Sequence, residues 1–342
     1  MAKRTKTPAD NRKVVPIAEA AKRRRGKALR ELTDAVDASP GEMFSGEFTM
    51  VGNMNLLDGQ FDDAVTAFSR ALFDAPDDVS ALAGRGRAYR SLGKHALALK
   101  DFDRLVALVP DNARYHVDRS NALAPLGRLK EAVAACTRAI ELEPTMAGAY
   151  YTRAVYRSHV EDDDAGVRAD FDKMVELAPN EVAYLHQRID YLVDSWDLEA
   201  ALSDIDRAIA LTPDDAKLHY QRGYCLSQRS QGRFQRDLDD SETDEEAQVR
   251  CEAALASLER AIELDPHHDE AYFELVCVRE QMHDEGATLA ALDRAIAAMP
   301  EEIPLLSLRY DRRRRRGDAE GAAADGKRLR ELGFEGELQG GA

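Results

Sequence analysis

The sequence predicts an all-α solenoid of about seven helix hairpins followed by a capping helix pair. The first observation is a ladder of prolines that recurs about every 34 residues, with one wider gap: Pro76, Pro110, Pro144, Pro179, Pro213, Pro266 and Pro300. The second is that each of these prolines follows an apolar, helix-compatible stretch. The third is the composition, in which aromatic residues make up only 6% of the chain. A 34-residue period is typical of antiparallel helix pairs that stack in a row.

One residue pattern recurs within the repeats. The second copy (79–112) shows its marker residues most clearly: Leu82, Gly86, Tyr89, Ala98, Phe102 and Pro110. These residues resemble the W-x2-L-G-x2-Y, A-x3-F and P pattern of the tetratricopeptide repeat. The resemblance covers about residues 45–300. It implies a right-handed α-solenoid in which the first helix of each repeat, helix A, lines a concave groove and the second, helix B, packs behind it.

The chain divides into three parts. Residues 1–44 are basic, with a net charge of +9 over the first thirty residues, and we expect them to be largely disordered, with a helix compatible with the spacing at 17–37. Residues 45–300 hold the seven repeats, and 301–342 hold the capping helices and a tail. The sixth repeat is 19 residues too long. Its surplus, at about 230–248, is strongly acidic and predicts an exposed loop.

The turn between helices A and B requires glycine in several copies. Gly59, Gly93 and Gly127 stand where the chain reverses, and we expect a left-handed backbone there. The fifth repeat has Trp196, the only tryptophan of the chain, at this place. The fourth repeat has one extra residue, which we place in the acidic turn 161–164.

Arginine recurs at the seventh position of six repeats: Arg85, Arg119, Arg153, Arg188, Arg222 and Arg309. Position 23 is aspartate in three copies: Asp101, Asp170 and Asp204. A guanidinium can hold a carboxylate through two parallel hydrogen bonds, so we expect these pairs to join helix A to helix B as part of the scaffold. Arg119 has Ala135 opposite it and is the arginine most expected to face another group.

The sequence contains none of the motifs of a nucleophilic, phosphate-binding or zinc enzyme. We therefore expect no catalytic activity, cofactor or metal. His267, His268, Asp269 and His283 are interpreted as parts of solvated turns. The four cysteines are far apart and form no CxxC pair, which favours a reduced, cytoplasmic protein. No apolar run reaches the roughly 20 residues that span a bilayer.

The resemblance implies that positions 2, 5, 9, 12 and 13 of each helix A line the groove. The predicted partner-binding residues are Asn53, Arg87, Arg90, Arg114, Asn121, Tyr151, His186, Asp190, Tyr220 and Tyr224. Asp194, Phe273 and Glu280 occupy such positions further on. The first half of the groove is thus cationic and the second aromatic and acidic, which suits a protein or peptide with an acidic end and a basic or apolar end. A groove that is merely polar and solvated is the plainer interpretation.

Two other functions fit the sequence. The basic run Lys22-Arg23-Arg24-Arg25 favours an adaptor that binds nucleic acid or an anionic surface by neutralising its charges, and Arg312 to Arg316 form a second basic cluster. Alternatively, the array stacks end to end as a self-assembling structural protein. The pattern by which chaperone adaptors of this family hold a terminal carboxylate is matched only by Asn53 and by the charge of Arg114.

Overall fold

The computed structural model describes residues 45–160, 163–231 and 244–334, which contain sixteen α-helices, a 3-10 turn at Ala124–Leu126 and no strand. In chain order the helices are α1 (Ser45–Leu57), α2 (Phe61–Asp74), α3 (Val79–Ser91), α4 (His95–Leu108), α5 (Ala113–Leu123), α6 (Leu129–Leu142), α7 (Ala147–Arg157), α8 (Asp164–Leu177), α9 (Val182–Asp194), α10 (Leu198–Leu211), α11 (Ala216–Gln231), α12 (Asp244–Leu264), α13 (Asp269–Gln281), α14 (Glu285–Ala298), α15 (Ile303–Arg316) and α16 (Ala319–Glu331).

The helices belong to two compact units that meet in sequence between Leu177 and Ala178. In the first unit, odd-numbered helices α1 to α7 are the A helices, and each packs on the following even-numbered B helix. The second unit repeats the arrangement from α9 to α16, and α15 with α16 is the predicted capping pair. The all-α fold of successive helix hairpins is therefore confirmed within each unit. None of the described helices is both long enough and apolar enough to cross a bilayer.

Small residues let the A helices approach the large side chains of the B helices. The ring of Phe68 on α2 is fully buried between α1 and α3. A Cβ atom added at Gly84 would lie 2.2 Å from the Phe68 ring, and one added at Gly52 would lie 2.6 Å from it. Ala64 and Ala98, which hold the same repeat position on α2 and α4, are also fully buried. The small residues of the repeat pattern thus mark places where the helices are closely packed.

Six of the turns between an A helix and its B helix have one left-handed residue in the described part of the chain. Gly59, Gly93 and Gly127 have φ of 75°, 71° and 74°, as predicted. Trp196 has φ of 60° at the same place, and its side chain is 63% exposed. His283, between α13 and α14, has φ of 55°. The backbone geometry of the turn is therefore kept even where the glycine is lost, although it is unfavourable for a residue with a Cβ atom.

Replacing Trp196 by glycine is expected to stabilise the second unit by about 1 kcal/mol, because the left-handed strain is relieved and little buried surface is lost. Urea denaturation followed by circular dichroism measures this difference. Trp196→Ala is the matched control, since it removes the indole but keeps the Cβ atom, and it should give no such gain. A glycine variant less stable than the alanine variant would show that the turn is not strained.

The arginine ladder predicted from positions 7 and 23 is confirmed. Arg85 donates to Asp101 from Nε and Nη2 over 2.8 and 2.7 Å. The same two-bonded geometry joins further pairs: Arg153–Asp170, Arg188–Asp204 and Arg309–Asp325. The fourth pair was not predicted. The ladder thus joins helix A to helix B within each of these hairpins, which is the scaffold role predicted for it.

The ladder also reaches the preceding repeat. Arg119 lacks an aspartate at position 23, and its Nε donates instead to Asp103 on α4 over 2.6 Å. Arg222 likewise donates to Asp206 on α10 over 2.7 Å. The expectation that Arg119 faces another group is thus met by an internal carboxylate of the neighbouring hairpin.

The acidic segment at 230–248 differs from the predicted loop at both ends. Helix α11 continues to Gln231 and α12 begins at Asp244, so only 232–243 lie outside the described residues. Carboxylates in the first turn of a helix interact favourably with its dipole, and Glu245 and Glu246 lie in the first turn of α12. The predicted N-terminal segment 1–44 with its helix at 17–37, and residues 161–162 of the fourth repeat's turn, also lie outside the described part of the chain.

Candidate functional site

Three of the predicted groove arginines gather around one carboxylate in the first unit. Asp118 on α5 is buried, and its Oδ2 accepts hydrogen bonds from Nε and Nη2 of Arg87 on α3, over 3.2 and 2.9 Å. Arg90 Nη1 and Arg114 Nε each lie 3.8 Å from Asp118 Oδ1. That distance gives an ion pair but no hydrogen bond. We name Arg87, Arg90, Arg114 and Asp118 the arginine cluster.

The arginine cluster carries an excess of positive charge. Three guanidinium groups share one carboxylate, so two formal positive charges are left without a counter-charge within the cluster. Arg114 is 65% exposed, whereas the Asp118 side chain is only 3% exposed. Asp118 therefore holds the arginines from the buried side of the cluster. The N–H groups of Arg90 and Arg114 that do not reach Asp118 remain available to an anion from solvent.

Other predicted residues of the first unit flank this cluster without joining it. Asn121 accepts a hydrogen bond at Oδ1 from the Tyr156 hydroxyl, over 2.8 Å. Burial raises the pKa of Tyr156 to about 12, so the hydroxyl stays a donor at neutral pH. Asn53 is exposed on α1, and Tyr151 is partly buried on α7.

In the second unit, the predicted acidic residue Asp190 is already neutralised. Its two oxygens lie 3.0 Å from Lys217 Nζ, and Oδ1 accepts from Gln221 Nε2 over 2.7 Å. His186 is also engaged, with Nε2 3.1 Å from Asp215 Oδ2. The sequence reasoning missed Lys217 and Gln221, which stand at positions 2 and 6 of the next A helix.

Aromatic rings and a buried carboxylate form a second feature of this unit. Tyr220 and Tyr224, one turn apart on α11, have ring centroids 6.2 Å apart at an interplanar angle of 39°. The Tyr220 ring also packs on His268, with centroids 4.8 Å apart. Glu274 on α13 is only 7% exposed, and its Oε1 accepts hydrogen bonds from Ser227 and Gln228 of α11. We name Tyr220, Tyr224 and Glu274 the tyrosine–glutamate site.

The histidine turn before α13 brings three possible metal ligands close together. His268, Asp269 and Glu270 place donor atoms within 4.8 Å of one another, but His267 and His283 are not part of this group. A structural zinc site takes four ligands. The contact of His268 with Tyr220 instead assigns the ring a packing role.

Cys136 and two histidines at the fourth position of their A helices, His116 and His219, have contacts that indicate a structural role. Cys136 is buried, and burial raises the pKa of its thiol to about 11, which suppresses the reactive thiolate. His116 and His219 lie with Nε2 2.8 Å from the carbonyl oxygens of Pro110 and Pro213. These histidines therefore hold the proline turns that end the preceding repeats.

Comparison with known proteins supports the assignment of the repeats. A family model described as tetratricopeptide repeat matches residues 58–113 and 86–147. Human tetratricopeptide repeat protein 13 is 33% identical over 159 residues, 45% of this chain and 18% of that protein. Mouse DnaJ homolog subfamily C member 3 is 22% identical over 240 residues, 70% of this chain and 40% of that protein. The chain thus spans less than half the length of these curated relatives.

A solved structure gives the same fold. The C-terminal part of a TPR repeat-containing protein from Cytophaga hutchinsonii superposes with a TM-score of 0.61 at 14% identity, over 76% of this chain and 98% of that one. At this identity the likeness concerns the fold alone. The 34-residue period, the helix hairpins and the matched repeats agree, and the chain belongs to the tetratricopeptide repeat family.

Proposed function

We propose that this protein is an interaction adaptor, without catalytic activity of its own, that binds an acidic segment of a partner protein at the arginine cluster. The observation that carries the proposal is the gathering of Arg87, Arg90 and Arg114 around the single buried carboxylate of Asp118. A partner carboxylate would supply the missing negative charge. The family's general use of its repeats for protein interaction supports the same assignment.

The geometry favours a carboxylate over a neutral ligand. Arginine presents planar N–H groups that match the two oxygens of a carboxylate, and such charge-assisted bonds contribute roughly 1.5–3 kcal/mol each. Arg90 and Arg114 lie too far from Asp118 to hydrogen-bond with it, so binding would not have to break an existing hydrogen bond to that aspartate. The cluster is therefore organised before the partner arrives, which lowers the entropic cost of association.

The remaining predicted groove residues take supporting parts in this proposal. In the first unit, Asn53, Asn121 and Tyr151 would offer amide and hydroxyl groups to the partner's backbone. In the second unit, Tyr220 and Tyr224 would offer aromatic surface, while His186 and Asp190, already bonded within the protein, would contribute shape more than charge.

The substitution Arg90→Gln together with Arg114→Gln is expected to weaken binding of an acidic peptide by about 100–200-fold, which corresponds to about 3 kcal/mol for two charge-assisted contacts at the weak end of their range. The probe is a fluorescein-labelled peptide of glutamates spaced by Gly-Ser, followed by fluorescence polarisation on the full chain at physiological salt. Its counterpart with glutamine in place of glutamate should bind far more weakly to the unsubstituted protein.

The matched control is Arg104→Gln with Arg138→Gln. These arginines lie exposed on the B helices α4 and α6, paired with acidic neighbours, and their loss changes the net charge by the same amount. Equal losses in the two double variants would show general charge attraction and overturn the proposal. Binding that survives both but disappears when residues 1–40 are deleted would assign the acidic peptide to the basic N-terminal segment instead.

A further inference from the structure

Glu274 is exceptional among the buried carboxylates of the described residues. Five other buried carboxylates each have an arginine within salt-bridge distance: Asp101, Asp118, Asp170, Asp204 and Asp325. Glu274 is also buried, yet no Lys or Arg of the described part of the chain lies within salt-bridge distance of it, and both of its hydrogen bonds come from neutral donors to Oε1. A buried carboxylate without a partner charge is unfavourable, and burial raises the pKa of Glu274.

The surroundings of Glu274 are aromatic and negative. Carboxylates act on both tyrosines: Glu274, Glu270 and Asp269 on Tyr220, and Glu274 and Asp194 on Tyr224. Burial first, and then the charges around it, with Glu274 the largest, raise the pKa of Tyr220 to about 12, so the phenol stays neutral. A neutral, electron-rich ring face beside a carboxylate attracts a cation through both the ring quadrupole and the charge.

The nearest lysine along α11 and the arginine packed against α13 are engaged elsewhere. Lys217 is paired with Asp190, and Arg312 is paired with Glu280.

Phe273 holds on α13 the repeat position that Tyr220 holds on α11, and it is 48% exposed. An exposed aromatic ring at that position offers apolar surface to the methylene groups of a long side chain.

We propose that the tyrosine–glutamate site binds the cationic side chain of a lysine or arginine of a protein partner. The ammonium or guanidinium group would lie against the faces of Tyr220 and Tyr224 and neutralise Glu274. The inference rests on the proposed adaptor function and deepens it, because it adds a second, oppositely charged recognition element within the second unit.

The test compares two fluorescein-labelled peptides on the full chain by fluorescence polarisation. One carries lysines spaced by Gly-Ser, and the other carries acetyl-lysine at the same positions, which keeps the length but removes the charge. The lysine peptide should bind at least about tenfold more tightly, and Glu274→Gln should remove most of that difference. Tyr224→Ala should also weaken the lysine peptide severalfold, since it removes a ring face but leaves the carboxylate.

The matched control is Glu259→Gln, which removes a carboxylate from helix α12, where it is paired with Arg294. The control should leave lysine-peptide binding unchanged. Equal losses in the Glu259 and Glu274 variants, or equal binding of the two peptides, would overturn the inference. Binding of free butylamine as tight as that of the lysine peptide would do the same, because it would show a site for small amines.

Two further readouts separate this inference from structural effects and from the arginine cluster. Glutamine can still accept the hydrogen bonds of Ser227 and Gln228, so Glu274→Gln should unfold at the same temperature as the unsubstituted protein or above it. A lower unfolding temperature would mean that Glu274 serves the fold, against the inference. Acidic-peptide binding should be unaffected by Glu274→Gln, and lysine-peptide binding unaffected by Arg90→Gln with Arg114→Gln.

Discussion

Replacing Asp170 by alanine is expected to lower the free energy of unfolding of the first unit by about 3–5 kcal/mol. The Asp170 carboxylate is buried and accepts from Nε and Nη2 of Arg153 over 2.9 and 2.6 Å, and from Nη1 of Arg157 over 3.0 Å. Without it, the guanidinium of Arg153 remains in a largely enclosed place with no anion, and that of Arg157 keeps only Asp163, whose Oδ2 lies 4.0 Å from its Nε. Such uncompensated charge is the main origin of the cost.

Urea denaturation followed by circular dichroism measures this loss. Asp103→Ala is the control, because Asp103 is an exposed partner of Arg119 and its removal should cost about 1 kcal/mol or less. Replacing Arg153 and Asp170 together by leucine should recover much of the stability, since both charges then leave the interior. Equal costs for the Asp103 and Asp170 variants would contradict the buried ion-pair account.

Phe68→Ala is expected to cost about 3–5 kcal/mol, through lost burial and the cavity that remains. The ring is fully buried and lies against Gly52 and Gly84, which have no side chains that could rotate into the space. The two A helices on either side of it, α1 and α3, already contact each other, and each is packed against its own B helix. The site therefore has little means of collapsing, and the cost should lie toward the upper end of the range.

Thermal unfolding of the variant, compared with Phe73→Ala, checks this expectation. Phe73 lies on the same helix but is 75% exposed, so its removal should change the stability by less than about 1 kcal/mol. Phe68→Leu, which fills most of the space, should fall between the two. A Phe68→Ala variant as stable as the Phe73 variant would mean that α1 and α3 close over the gap.

The fold could be predicted because its signals are repeated. The prolines set a register that seven copies share, and the register places Arg85 opposite Asp101 and Gly93 in a left-handed turn. Each observation is weak alone, but the copies reinforce one another. The exceptions come where one copy departs from the rest, as His283 does in the turn between α13 and α14.

The candidate sites were only partly predictable because their chemistry is not repeated. The register places Arg87, Arg90 and Arg114 on the A helices, but the role of Asp118 depends on its contact with the preceding A helix. Glu274 stands at the same repeat position as Asp118. One gathers three arginines and the other has none among the described residues, so we propose that identical positions in the pattern differ in the charge they prefer.

The ladder arginines differ in whether their carboxylate lies in the same repeat or in the preceding one. The repeats are therefore not equivalent when one of them is duplicated or lost. Arg153 has Asp170 within its own repeat and would keep that partner whichever repeat came before it. Arg119 has Ala135 at that place and depends on Asp103 of the previous repeat. If residues 79–112 were lost as one repeat, Ser69 would take the place of Asp103 and leave the guanidinium without a carboxylate. Duplication or loss of the second and third repeats together would therefore keep Arg119 with its partner Asp103.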